Sequence, residues 1–186
     1  MKKMLIVFML SLLSAAPARA VEVAGVTLEP TATVNSRPLK LNGYGIRKKF
    51  FVKVYIGSLY LTRQAKRAEE VLGDPGDKLI RMNFLHNKVE KGKITEAFGE
   101  GIANNAPEVV GSPEAKKFLG LFTGDFRKGD VVDLVLAADG AVTAKHNGRL
   151  LGTVTSVRLA RAILAIYLGP KPADEGLKQG MLGKDS

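Results

Sequence analysis

The stretch NGYGIRKKFFVKVYIGSLYL, residues 42–61, contains the strongest strand signal in the chain. Its second half, residues 50–61, is rich in β-branched and aromatic residues, which favour strands, and Gly57 is a candidate bulge or bend. Three consecutive cations, Arg47-Lys48-Lys49, stand directly before this strand. Cations beside so hydrophobic a run raise the question of whether the segment is purely structural or binds an anion.

Alternation of side chains gives the predicted strand two different faces. The face predicted to form the core is wholly apolar and consists of Phe50, Val52, Val54 and Ile56. The opposite face mixes cations and aromatic rings and consists of Arg47, Lys49, Phe51, Lys53 and Tyr55. Arg47 and Tyr55 then share a side, where a guanidinium and a phenol can donate hydrogen bonds to one carboxylate or phenolate. The alternative is that this face is the solvent side of a sheet.

The flanking sequence predicts more strands. Residues 21–41 alternate, with two interrupting prolines, and are predicted to form short edge strands. Residues 78–85, KLIRMNFL, are predicted to form a second long strand. Further on, the turn signals Asp139-Gly140 and Asn147-Gly148 separate alternating runs and predict a three-stranded meander.

Three helices are expected. The first lies within residues 89–107, where apolar residues recur at helical spacing. The second begins at Ser112-Pro113 and runs to about residue 122, and the third is capped by Thr155 or Ser156 and ends at Gly169. Residues 171–186 are expected to be loosely held. Because strands dominate and do not alternate regularly with helices, the predicted class is α+β, a mainly antiparallel sheet with helices on one face.

Residues 1–20 have the pattern of a secretory signal peptide. Lys2-Lys3 precede an apolar run at residues 4–13, and Ala18-Arg19-Ala20 is a small-x-small cleavage signal. The run is too short for a membrane span, although an uncleaved anchor is the alternative. We expect one domain over residues 21–186, no integral membrane segment after cleavage, and a periplasmic or secreted location in a bacterium. The net charge falls from +10 to +7 on cleavage, because the segment carries three cations and no acid.

Several classes of chemistry are disfavoured by the composition. The chain has no cysteine, which excludes disulfides and thiolate chemistry. The chain has only two histidines, His86 and His146, so no metal site is expected. It contains neither a phosphate-binding loop nor a nucleophile elbow, so neither a cofactor, such as a nucleotide, nor a serine hydrolase is expected. His86 is expected in a loop or at the edge of a site, and His146 at an exposed turn. Nucleic acid is not an expected partner, since the cations form scattered pairs without stacking aromatics.

The residues 42–61 closely resemble the signature of the chalcone isomerase-like family, specifically its bacterial exported members, and the order of the elements is similar over nearly all of residues 21–186. The resemblance implies a large antiparallel sheet backed by helices, with a ligand cleft between the two layers. It also implies that Arg47 acts on the anionic group of the ligand. In the fatty-acid-binding branch a tyrosine in the strand joins the arginine, and Tyr55 is the similar position.

The catalytic branch of that family requires further polar groups. Plant isomerases carry a threonine where this sequence has Tyr55, and a tyrosine and an asparagine on the following helix. This sequence offers Ile94 and Gly101 at those two places, with Asn104 and Asn105 nearby. Cyclisation of a chalcone needs several placed donors, and one arginine supplies only part of that stabilisation.

The leading hypothesis is therefore a binding protein for a small amphipathic acid, such as a fatty acid or a related phenolic ligand. Arg47 and Tyr55 would hold the polar end, and Ile94, Phe98 and Ile102 of the first helix would contact the alkyl chain or simply pack in the core. The alternative is an intramolecular lyase of the chalcone isomerase type. A third hypothesis is a closed cleft and a protein partner, which predicts a large exposed apolar patch. The sequence does not determine the oligomeric state.

Overall fold

The structure, a computed structural model, describes residues 20–184. The predicted signal peptide therefore lies outside the described residues, apart from Ala20. Within this range the chain forms eleven strands: β1 (Val21–Val23), β2 (Val26–Leu28), β3 (Thr31–Val34), β4 (Arg37–Lys49), β5 (Val52–Leu61), β6 (Lys78–Phe84), β7 (Lys88–Val89), β8 (Phe126–Arg127), β9 (Val131–Leu136), β10 (Ala141–His146) and β11 (Arg149–Thr155).

Five α-helices and one short 3₁₀ turn, Pro107–Val109, complete the described part of the chain. Ser112 and Ser156 cap the second and third predicted helices, as expected. Each hydroxyl accepts a hydrogen bond from the backbone N–H of the residue three positions later. The helices are α1 (Ala68–Gly73), α2 (Lys91–Asn105), α3 (Pro113–Leu119), α4 (Val157–Leu168) and α5 (Glu175–Met181).

Seven of the strands form the main sheet, in the order β11-β10-β9-β6-β5-β4-β3, and every neighbouring pair is antiparallel. The predicted strand at residues 78–85 and the meander are confirmed as β6 and β9–β11. The helices pack on one face of the sheet and form the main core with it. A smaller cluster around Tyr60 and Leu79 covers part of the other face. The predicted α+β class is confirmed.

The strand predicted from Arg47 into residues 50–61 is wrong in one respect, because the chain reverses in its middle. β4 ends at Lys49 and β5 begins at Val52, so that Phe50-Phe51 is the two-residue loop of a hairpin. Phe50 and Val52 are exposed, and the predicted core face is therefore not formed. Tyr55 points instead toward the helices and the main core, while Ile56 is buried on the opposite face.

Two β-bulges occur in this hairpin, and neither is at Gly57. The register shifts between Leu41 and Gly43 and between Arg47 and Lys48, whereas Gly57 pairs regularly with Gly45. A Cβ atom at Gly57 would lie 2.8 Å from the Met181 side chain of α5. Side chains of α5 thus pack directly on Gly57, and the strand shows no bulge there.

The expectation of a loosely held tail is also wrong. Asp174 caps α5 by accepting a hydrogen bond from the N–H of Leu177, whose side chain is fully buried. The helix lies on β4 with backbone against backbone, and a Cβ atom at Gly43 would overlap the carbonyl oxygen of Gly180. Asn42, the extra residue at the first bulge, donates a further hydrogen bond of 2.8 Å to the carbonyl of Met181.

Candidate functional site

The β4–β5 hairpin brings Arg47 and Tyr55 together as direct cross-strand partners. Opposite residues in an antiparallel pair project from the same face of the sheet. The two side chains therefore share a side, as expected, but through pairing of two strands rather than through alternation along one strand. The second bulge makes this pairing possible, since Lys48 pairs with Lys53 and leaves Val54 as the extra residue.

A cleft of about 560 Å³ opens between this hairpin and the helices. Its size is ordinary for a small-molecule site. The inner wall is buried and mainly apolar, with two phenols, and is formed by Tyr55, Met82, Phe98, Ile166 and Tyr167. The outer wall is charged and is formed by Arg47, Lys49, Lys88, Lys93, Glu90, Glu96 and Glu100, with His86. An amphipathic molecule matches this division into an apolar interior and a charged mouth.

Four of the five residues predicted for ligand binding border this cleft: Arg47, Tyr55, Ile94 and Phe98. The fifth, Ile102, is buried one helical turn further along α2 and belongs to the core without bordering the cleft. The spacing of Ile94, Phe98 and Ile102 fixed their common helix face, but the face continues beyond the end of the cleft. Whether the four bordering residues bind a ligand stays a prediction.

Tyr167, on α4, is a cleft residue that the sequence analysis missed. Its side chain is buried, and its hydroxyl donates a hydrogen bond of 3.4 Å to Sδ of Met82. A tyrosine on the buried face of an amphipathic helix was the available signal, because a buried phenol needs a hydrogen-bond partner. Nothing in the local sequence connects this helix with residues 47 and 55, however.

Both phenols of the inner wall stay protonated at neutral pH. Burial raises the pKa of Tyr55, and the nearby charge of Arg47 opposes that rise only in part. Burial and the neighbouring Tyr55 together raise the pKa of Tyr167 well above its ordinary value, again against the charge of Arg47. The two hydroxyls are therefore neutral hydrogen-bond donors rather than bases at neutral pH.

Arg47 is the half-buried cation at the junction of the two walls. No ion pair within residues 20–184 includes it, whereas the cations Lys93 and Lys88 pair with Glu96 at 2.9 Å and with Asp125 at 3.1 Å. Asp174 lies nearby, but its carboxylate accepts hydrogen bonds from the backbone N–H groups of Lys48 and Leu177. The guanidinium is thus free to donate to an anion in the cleft.

Two of the positions matched to the plant catalytic groups carry no polar side chain here. Ile94 contributes a hydrocarbon side chain to the cleft, and Gly101 lies against Ile166, where even a Cβ atom would come within 2.7 Å. Asn105 does not border the cleft and instead donates a hydrogen bond of 2.7 Å to the carbonyl of Lys171. Asn104 is exposed and also lies outside the cleft lining.

The histidines are separated. His86 borders the mouth of the cleft, which is one of the two expected positions. His146 was expected at an exposed turn, but its side chain is partly buried. Its ring packs on Phe126, and its Nε2 lies 3.2 Å from Asp130. Over the described residues there is no group of three or more acidic or histidine side chains suited to a metal ion. None of the helices in that range is long and apolar enough to cross a membrane.

Known proteins are similar to this chain in sequence and in fold. Over 108 residues, 55% of this chain and 39% of the relative, the sequence is 25% identical to Fatty-acid-binding protein 1 of Arabidopsis thaliana. The match therefore spans well under half of that relative's length. A crystal structure of an Arabidopsis thaliana fatty-acid-binding protein superposes with a TM-score of 0.70 and 20% identity over 88% of this chain and 96% of that chain. At that identity the likeness shows the fold alone.

The family follows from a longer match. A family model described as chalcone isomerase-like matches residues 20–183, which is nearly the whole described range. The seven-stranded antiparallel sheet with helices on one face, and the cleft beside its longest hairpin, agree with the fold that the sequence resemblance implied. The chain belongs to the chalcone isomerase-like family.

Proposed function

We propose that the protein binds a small amphipathic carboxylic acid of the fatty-acid class in the cleft between the β4–β5 hairpin and α2. In this proposal Arg47 and Tyr55 hold the carboxylate, Tyr167 contributes a second phenol, and Ile94 and Phe98 contact the alkyl chain. The observation that carries the proposal is an arginine without an ion-pair partner in residues 20–184, bordering an apolar cleft beside two neutral phenols.

The chemistry of the cleft supports a carboxylate attached to an apolar chain. A guanidinium binds a carboxylate through two parallel hydrogen bonds, and a neutral phenol can donate a third. Such bonds are stronger in a site that is partly shielded from water. The apolar inner wall would stabilise an alkyl chain by burial. The similarity to Fatty-acid-binding protein 1 supports the same ligand class, although it is distant and partial.

The proposal is tested by measuring binding of a defined saturated fatty acid to delipidated protein. We expect Arg47→Met to weaken binding by at least tenfold, because a hydrogen bond to a charged group contributes about 1.5 to 3 kcal/mol. Methionine keeps the hydrocarbon contacts of the arginine stem. Arg149→Met, at the exposed start of β11, is the matched control and should bind like the wild type.

Two outcomes would contradict the binding proposal. Equal affinities of the wild type and Arg47→Met would remove the assigned role of the guanidinium. Turnover of a chalcone by the wild type, well above background and lost in Arg47→Met, would favour the intramolecular lyase instead. The same preparations therefore separate the two candidate functions.

We also propose that the protein acts after export, with residues 1–20 removed. The support is the pattern of charge, apolar run and small residues in that segment. Amino-terminal sequencing of the protein from a periplasmic fraction should return Val21 as the first residue. Recovery of an intact amino terminus from the cytoplasm would contradict this.

A further inference from the structure

The tip of the β4–β5 hairpin exposes three consecutive apolar side chains. Phe50, Phe51 and Val52 are 88%, 101% and 43% exposed, and Phe51 is therefore as accessible as in an unfolded chain. Single exposed apolar residues are common on proteins, but adjacent exposed phenylalanines at a protruding loop are not explained by packing. Alternation along the sequence predicts Phe50 in the core, so the exposed tip is a feature that only the structure shows.

The backbone at the tip is unfavourable for the residue that occupies it. Phe50 has a φ of +56°, in the left-handed region that a bulky side chain rarely adopts. It is the first residue of a two-residue hairpin loop, and type II′ turns place glycine at that position. Phenylalanine thus costs stability there and gains no burial in return. Such local conflicts are expected where a residue serves a purpose other than folding.

Cations surround the apolar tip on both faces of the hairpin. Lys48 and Lys53 are direct cross-strand partners on the face of the hairpin that points away from the cleft. Lys49 borders the cleft. Like charges in directly opposite positions destabilise a sheet. None of these three lysines takes part in an ion pair within the described part of the chain. A negatively charged surface would remove the repulsion between them.

We propose that this tip docks the protein on an anionic lipid bilayer. Phenyl rings partition into the boundary between headgroups and acyl chains, and lysines beside them are attracted to anionic headgroups. A protein partner is less suited, because a convex two-residue tip offers far less than the surface of about 800 Å² that each side of a stable protein interface buries. Apolar rings with a cationic collar fit the layered chemistry of a membrane surface.

Docking at the tip would bring the mouth of the cleft to the membrane surface. Lys49, Phe50 and Val52 belong to the tip and also border the cleft. A fatty acid could then pass between the bilayer and the cleft without crossing bulk water. This exchange step rests on the proposed function, but the docking itself does not.

The first test uses the absence of tryptophan from the chain. Phe51→Trp introduces a single indole at a fully exposed position outside the cleft lining, where folding should not be affected. With vesicles of phosphatidylglycerol and phosphatidylcholine, its emission should shift to the blue and become protected from an aqueous quencher. Leu150→Trp, at the exposed start of β11, is the matched control and should show neither change. Identical responses of the two variants would overturn the proposal.

The second test separates the apolar and electrostatic parts by vesicle co-sedimentation. Phe51→Ser should reduce binding to the mixed vesicles by about tenfold, from the loss of one buried phenyl ring. The double variant Lys48→Gln/Lys53→Gln should lose at least tenfold on the mixed vesicles and nothing on pure phosphatidylcholine. Leu150→Ser should bind like the wild type. Failure of the wild type to bind mixed vesicles at low salt would overturn the proposal and leave a protein partner as the explanation of the patch.

The outcome is independent of the ligand proposal. Phe51, Lys48 and Lys53 do not border the cleft, so their variants should bind a fatty acid with unchanged affinity. Normal vesicle docking with no fatty-acid binding would refute only the proposed function. Normal fatty-acid binding without vesicle docking would refute only the docking.

Discussion

The hairpins β4–β5 and β10–β11 close with loops of equal length but very different residues. The second hairpin turns at Asn147-Gly148, both with positive φ, which is the preferred chemistry of a type I′ turn. Asn147 also accepts a hydrogen bond of 2.8 Å from the N–H of Val131. The first hairpin turns at Phe50-Phe51, with a left-handed phenylalanine and two exposed rings.

The difference separates a turn built for stability from one that carries another role. The Asn-Gly turn agrees with local propensity and satisfies its polar groups, whereas the Phe-Phe turn violates both turn chemistry and burial. The violation occurs beside the cleft, in the same hairpin as Arg47, which has no ion-pair partner within residues 20–184. Local conflict and candidate site thus coincide in this molecule.

The largest effect on stability is expected at the contact between α5 and strand β4 of the first hairpin. Gly43→Ala should lower the free energy of unfolding by about 3 kcal/mol, because the new methyl group meets the backbone of α5 and no side chain can move aside. Chemical denaturation monitored by circular dichroism measures this. Gly99→Ala, in α2 with open space around it, is the control and should stabilise by about 0.5 to 1 kcal/mol. Equal effects of the two variants would contradict the close contact of α5 with β4.

A smaller loss is expected at the turn of the second hairpin. Asn147→Ala should destabilise the fold by about 2 kcal/mol, because alanine is unfavourable at positive φ and two side-chain hydrogen bonds are lost. These are the bond accepted from the N–H of Val131 and the bond donated to the carboxylate of Asp130. Asn147→Gly keeps the backbone freedom and loses only the hydrogen bonds, so its thermal midpoint should lie between those of the wild type and Asn147→Ala. A neutral Asn147→Ala would show that the turn is not specified by its residues.

The first hairpin should respond in the opposite direction. Phe50→Gly should raise the free energy of unfolding by about 1 kcal/mol, since glycine suits positive φ and no buried contact is lost. Phe51→Gly is the matched control, because its φ is not positive and glycine there should be slightly destabilising. Urea denaturation of both proteins checks the signs. Destabilisation by Phe50→Gly would mean that the ring contributes to folding after all.

The smallest expected effect is on the loss of stability at acidic pH. Burial tends to raise the pKa of Asp130, but hydrogen bonds from Asn147 and the N–H of Arg127, with the nearby His146, lower it below its ordinary value. A lowered folded pKa gives stability that is present above the unfolded pKa of 3.8 and is lost as the pH falls through the folded value. Urea denaturation of Asp130→Asn should show a smaller loss of stability than the wild type between about pH 5 and about pH 2. Superimposable pH profiles would contradict this, and Asn147→Ala should also show reduced acid dependence.

Much of the fold was predictable because its signals are local. The strand at β6, the meander, the serine caps of α3 and α4, and the apolar face of α2 each depend on residues within a few positions of one another. One strand-like run and one helix face, together with the family resemblance, indicated four residues that border the cleft: Arg47, Tyr55, Ile94 and Phe98. Ile102, the fifth residue predicted to contact a ligand, lies in the core beyond the end of the cleft, because periodicity does not show where a cleft ends.

The sequence by itself determined the α+β class and the family, and it supplied the candidate residues for the proposed acid-binding site. Only the tertiary structure decided that Arg47 and Tyr55 meet across a hairpin, that Tyr167 joins them, that α5 packs on β4, and that two phenylalanines face outward. Propensity and periodicity are set by neighbours along the chain. Register, bulges and backbone contacts between residues as distant as Gly43 and Gly180 depend instead on how the whole core closes and packs.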